Sequence, residues 1–131
     1  MTIGDLASRS GVPASTIRYW ERIGVLPVAA RTGGQRRYSK EDIHRLAVLQ
    51  LARACGFRLD EMLYLTHGFS PNTPASRRWQ LLATKKRKEL NLQIAQLKAM
   101  CRIVDRLSDC RCVELSNCGQ LAASVIGTST R

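Results

Sequence analysis

Acidic residues are scarce in this 131-residue chain: 10 Asp and Glu stand against 21 Lys and Arg, for a formal charge of +11. That imbalance disfavours a polycationic partner and favours a polyanion, nucleic acid first and an acidic membrane surface second. Long apolar runs are also missing. None approaches the roughly 20 residues that a membrane span needs, and the N-terminus lacks the basic-then-apolar layout of a signal peptide, so a cytoplasmic location without a membrane partner is expected. Histidine occurs twice, as His44 and His67, both in what reads as the globular part, where surface or helix-face roles are expected. The thiol-rich cluster near the C-terminus has no histidine beside it. An enzyme would need a paired nucleophile and base in a pocket, and a chain this short has little room for one, so no catalytic residues are expected.

What is present has a clear order. Ten of the cations fall in residues 1–60, among regularly spaced apolar residues, and nine more lie between Arg77 and Arg106. That spacing implies folded basic faces rather than a charged tail. Thr2-Ile3-Gly4-Asp5 fits a capping box, and Ile3, Leu6 and Ala7 give the helix behind it an apolar stripe as far as Ser10. Gly11-Val12-Pro13 turns the chain. A second helix follows from Ser15 to Ile23, with Ile17 and Trp20 inward and Gly24 as its stop, and the pair reads as a helix-turn-helix. Gly33-Gly34 then forms the tip of a hairpin between short arms carrying Arg31 and Arg36-Arg37-Tyr38, a basic wing. Ser39-Lys40-Glu41-Asp42 opens a third helix, with Ile43, Leu46, Ala47 and Leu51 as its apolar positions, that ends at Cys55-Gly56. A fourth spans about Asp60–Thr66.

GFSPNTPAS, residues 68–76, closes this globular part. From Ser76 to Leu107 there is neither Gly nor Pro, and Leu90, Ile94, Leu97, Cys101 and Val104 alternate by four and three, a coiled-coil seam. So long a stripe exceeds what a small domain can cover, which implies a homodimer. The expected organisation is a DNA-binding domain over residues 1–70, a dimerisation helix over 76–107, and a Cys-rich effector loop and tail over 108–131. LAASVIGTSTR closes the chain as a short apolar piece and a polar tail.

A helix-turn-helix puts its second helix in the DNA major groove while flanking cations hold phosphates. Ser15, Thr16, Arg18 and Tyr19 lie on or near the exposed side of that helix. Arg31, Arg36, Arg37 and Tyr38 would hold the backbone from the wing. In the C-terminal segment DCRCVELSNC, Cys110, Cys112 and Cys118 form C-x-C-x5-C. Thiolates so spaced can converge on one thiophilic ion or an iron–sulfur cluster. Cys55 and Cys101 read as packed thiols, and Trp79 as a packing residue.

MTIGDLASRSGVPASTIRYWERIGVLP, the wing RTGGQRRYS and LARACGFRLDEM together resemble the MerR family of bacterial transcription regulators, over residues 1–66 without a gap. The resemblance implies a mainly α fold: a winged helix-turn-helix, a second helix pair, a long dimerisation helix forming an antiparallel coiled coil, and a short C-terminal effector segment. It also implies DNA contacts from Arg18, Tyr19, Arg31, Arg36, Tyr38 and Arg53. The implied action is on double-stranded promoter DNA, at a pseudo-palindrome whose distortion lets RNA polymerase engage, so polymerase is an indirect partner. Gln35 and Arg58 depart from common residues of the family. Copper-sensing members resemble the C-x7-C pair Cys110 and Cys118, with a serine about where Ser76 stands. SoxR-like redox sensors resemble C-x-C-x5-C, with a tryptophan where Trp79 falls, but have a further cysteine where this chain has Leu107. The effector is therefore expected to be a thiophilic metal ion of the zinc, copper(I), mercury or lead class, with a [2Fe-2S] cluster as the alternative and a purely structural zinc as a third reading.

Overall fold

The structure is a computed structural model describing residues 1–129. Its elements are α1 (Ile3–Ser10), α2 (Ala14–Ile23), β1 (Ala30–Thr32), β2 (Gln35–Arg37), α3 (Lys40–Ala54), α4 (Leu59–His67), α5 (Ala75–Ser108) and α6 (Leu115–Ser129). Short-range chemistry sets most of the boundaries. Thr2 Oγ1 accepts the Asp5 amide at 3.2 Å and Asp5 Oδ2 accepts the Thr2 amide at 3.0 Å, so the expected box starts α1. The Thr2 amide and hydroxyl also hold the Asp5 carboxyl below its ordinary range. Gly24, at φ 90, ends α2 in the left-handed region. At the next start the Ser39 amide donates to Asp42 Oδ2 at 2.9 Å. Glu61 plays the same part for α4, accepting the Arg58 amide at 2.9 Å, so the departure at Arg58 is compensated from within the helix.

The wing is a two-stranded antiparallel ribbon with Arg31 opposite Arg36. Gly33 and Gly34 lie at φ 61 and 81, the two successive positive values that a two-residue hairpin turn of this hand requires. The core cluster joins Leu6, Ile17, Trp20, Leu26, Leu46, Leu49, Ala52 and Met62, with Phe57, Leu63 and Trp79 packed against it. Trp79 meets Phe57 edge to face, with ring centroids 5.8 Å apart, which supports its reading as a packing residue.

Three sequence expectations are corrected. On α3 the inward stripe is Leu46, Leu49 and Ala52, while Leu51 is 64% exposed and Ala47 is exposed. A step of two residues turns a helix by about 200°, so Leu49 and Leu51 cannot share a face. Cys55 is exposed rather than packed: it is the cap residue at the C-terminal end of α3, just before the left-handed turn at Gly56. The segment read as a loop with a short apolar piece and tail contains α6, and among its described residues only 109–114 are irregular. The end of the tail, residues 130–131, lies outside the described residues.

Two compact units divide the chain, one running Met1–Lys86 and the other starting at Arg87. The first therefore includes the start of α5. At 1.5 Å per residue, α5 is about 50 Å long. Its seam residues Ile94, Leu97 and Val104 are 45%, 59% and 58% exposed in the single chain, and Cys101 is exposed as well. Among the described residues no helix is long and apolar enough to cross a membrane.

Candidate nucleic-acid interface and thiol cluster

α2 and the wing form one cationic face. Ser15, Arg18, Arg31 and Arg37 are exposed, Tyr19 is 40% exposed, and Thr16 and Arg36 are half-buried. Arg18 and Arg36 line two adjoining clefts, one completed by Glu21, Arg22 and Val28 and the other by Thr2, Ile3 and Gln35. The structure thus places helix and wing cations side by side. Arg36 Nε is buried with no hydrogen-bond partner among the described residues. Arg22 lies over the Tyr19 ring at 5.2 Å and Arg53 over the Trp20 ring at 5.4 Å, so Arg53 reaches the same helix from the end of α3.

Tyr38 does not stand on that face. It is 5% exposed, and its hydroxyl donates to Glu21 Oε1. Burial and the Glu21 carboxylate push its phenol up to about 12. The expectation of a backbone-contacting Tyr38 is thereby changed to a residue that pins the wing. Its main chain is also paired with Met1, whose terminal amine donates to the Tyr38 carbonyl at 2.9 Å and whose carbonyl accepts the Tyr38 amide at 2.9 Å.

Glu21 was not among the candidate residues, yet it organises this corner. Only 4% exposed, it takes Tyr38 on one oxygen and the Ala29 amide on the other, at 3.2 Å. One carboxylate from α2 therefore holds both ends of the wing. The available signal was a lone acid inside RYWE, surrounded by cations.

The cysteines lie in the second unit. α5 ends at Ser108, whose hydroxyl donates to the Asp105 carbonyl at 2.8 Å, and the Cys110 amide reaches back to the Leu107 carbonyl at 3.1 Å. Cys118 sits in the first turn of α6, not in a loop. Cys110 Sγ and Cys118 Sγ are 3.3 Å apart, and the Cys112 amide donates to Cys110 Sγ at 3.4 Å. All three sulfurs lie within 4.8 Å of one another, and among the described residues no other group of three or more Cys, His, Asp or Glu gathers in this way. The Cys112 amide first, then the Cys112 and Cys118 thiols, hold Cys110 below the ordinary thiol range. The thiols of Cys110 and then Cys118 push Cys112 up to about 11. A thiolate at Cys110 thus opposes ionisation of Cys112, and a bound cation would supply the compensating charge.

The donor set fits a soft ion. Zinc–sulfur bonds of about 2.3 Å in a tetrahedron put sulfurs about 3.8 Å apart, a spacing the trio can take up by small side-chain shifts. Leu107, the position at which the resemblance to SoxR-like sensors implies a further cysteine, has no ligand atom for a four-thiolate cluster. Cys55, His44 and His67 belong to the first unit, and His67 Nε2 is engaged with the Gly24 carbonyl at 2.6 Å.

Fold and site together define a winged helix-turn-helix protein with an appended thiol cluster. Residues 1–62 match the family model described as "MerR HTH family regulatory protein", and residues 43–107 match "MerR, DNA binding". The chain belongs to the MerR family, whose members are DNA-binding transcription regulators and not enzymes. It is 34% identical over 107 residues to the HTH-type transcriptional regulator HmrR of Rhizobium leguminosarum bv. viciae, covering 82% of this chain and 83% of that protein. Heavy metal-dependent transcription regulator 2 of Rhizobium meliloti is 32% identical over 109 residues, covering 82% and 74%. The SoxR homolog of Chromobacterium violaceum is 32% identical over 122 residues, covering 90% and 80%. Among solved structures, PbrR691 from Ralstonia metallidurans CH34 in complex with lead(II) superposes with a TM-score of 0.69 at 26% identity, covering 87% and 90%. HiNmlR, a MerR family regulator bound to promoter DNA, gives 0.56 at 26% identity, covering 96% and 94%.

Proposed function

We propose that this chain is a dimeric, metal-responsive transcription regulator of the bacterial cytoplasm. Residues 1–70 bind a pseudo-palindromic promoter, residues 76–107 pair two chains as an antiparallel coiled coil, and residues 108–131 receive the effector. Ser15, Thr16, Arg18 and Tyr19 enter the major groove; Arg31, Arg36, Arg37 and Arg53 hold phosphates, and Tyr38 positions the wing through Glu21. The exposed seam on α5 supports the dimer, because Ile94, Leu97 and Val104 stay in water unless a second helix covers them. Binding of a thiophilic ion by Cys110, Cys112 and Cys118 would alter dimer geometry and so the distortion of the promoter, through which RNA polymerase is affected indirectly.

The observation that carries this reading is the three-sulfur group within 4.8 Å at the end of α5. Likeness to a heavy metal-dependent regulator and to a regulator solved with lead(II) supports it. A SoxR-like redox sensor is the second reading, favoured by the C-x-C-x5-C spacing and the likeness to a SoxR homolog. The test is anaerobic purification followed by an absorption spectrum and elemental analysis. Stoichiometric zinc, copper, lead or mercury on a protein without visible bands is expected; iron and sulfide in equal amounts with visible bands would replace the first reading by the second.

A further inference from the structure

Lys86 is the one lysine among the described residues that is buried, at 5% exposure. Its ammonium lies 2.7 Å from Glu61 Oε1, 3.1 Å from the Gly56 carbonyl, and 5.1 Å from the centre of the Phe57 ring. These contacts gather at one corner. Gly56 and Phe57 follow α3 and donate their amides to the Arg53 and Ala52 carbonyls at 3.1 and 3.0 Å, while Glu61 caps α4. One cation from α5 thus grips the end of one helix and the start of the next. Burial alone would raise the Glu61 carboxyl, but the Lys86 ammonium and the Arg58 amide hold it below its ordinary range.

A buried ion pair is a poor adhesive, since apolar side chains of similar volume often hold two elements as well or better. It does fix position, because a small ammonium must meet its acceptors at defined points. Arg53 lies one turn before Gly56, with its guanidinium over Trp20 of α2. We infer that Lys86 is a positioning residue for DNA binding: through Gly56 and Glu61 it sets the α3–α4 corner and so the reach of Arg53 toward the phosphate backbone. This rests on the proposed DNA contact of Arg53 and is independent of the effector.

The experiment is a double-mutant cycle with metal-free full-length protein and an operator duplex selected from random sequence by the wild type. Arg53→Ala is expected to weaken binding on the order of tenfold, the worth of a charged hydrogen bond. Lys86→Met should fold and weaken binding by a similar factor. The double variant should fall within about twofold of Arg53→Ala alone, because coupled residues do not add. Lys86→Arg should recover part of the affinity. If Lys86→Met does not fold, Glu61→Gln takes its place in the cycle. Multiplicative losses, or wild-type affinity in the Lys86 variant, would overturn the positioning role and leave the Arg53 contact standing. Wild-type affinity in Arg53→Ala would overturn both.

Discussion

The two compact units of this chain solve opposite problems. In the first, charge is brought inside and tied down: Glu21 straps both ends of the wing, and Glu61 meets Lys86 beside Phe57. In the second, the reactive groups are left toward solvent, with Cys110 and Cys112 exposed and Cys118 half-buried. A DNA-reading face needs cations at fixed places, and fixed places need buried partners. A site that captures an ion from solution needs access and donors able to close on it. The first unit thus fixes its buried polar groups in place, whereas the second leaves its clustered thiols accessible.

The largest effect that would break this contrast is loss of the effector site. Replacing Cys112 by Ser should lower metal affinity by more than the roughly 10- to 100-fold lost with a residue that only orients a ligand. Equilibrium competition with a chromogenic chelator measures this, and DNA affinity of the metal-free protein should stay unchanged. Arg18→Ala comes next: specific promoter binding should drop roughly 10- to 100-fold while the dimer persists, as read by gel shift and sedimentation.

Tyr38→Phe is a smaller change. It leaves Glu21 Oε1 without the hydroxyl it accepts, at about 1–2 kcal/mol of stability, seen as a lowered midpoint in thermal unfolding. The wing should loosen with it, and DNA affinity should fall less than in Arg18→Ala.

The smallest effect is in pH. Glu61 has a lowered carboxyl, so its contribution to stability is fully present above the unfolded value near 4.5 and is lost as pH falls through the folded value. Denaturation below pH 4.5 should therefore include a Glu61 component, and the acid-induced loss should be shallower in Glu61→Gln than in the wild type.

Features written in neighbouring residues were legible in the sequence. Thr2 and Asp5, Ser39 and Asp42, and Gly33-Gly34 act over two to four positions, so the caps and the wing follow from the residues themselves. Cys110, Cys112 and Cys118 lie within one turn-and-helix segment, and their convergence was legible for the same reason. What distant contacts decide was not. Tyr38 faces inward because Glu21 is there to receive it, Lys86 is buried because the α3–α4 corner offers it two oxygens, and nothing local marks either. Leu51 shares helical spacing with Ile43, Leu46 and Ala47, and only the elements packed on α3 turn Leu49 and Ala52 inward instead. The tail lacks a strong apolar period, which hid α6 and the position of Cys118 at its start.

In the proposed function, ion binding at the three cysteines switches promoter output. Its most direct test is transcription in vitro from the selected promoter with purified protein, titrating zinc, copper(I), lead(II) or mercury(II), for the wild type and for the variant with Cys110, Cys112 and Cys118 all replaced by Ser. At least one of these ions should change output from the wild type at one ion or fewer per cysteine trio, and have no effect through the triple variant. Equal responses from the two proteins, or a wild-type response to oxidants with none of the ions acting, would contradict it.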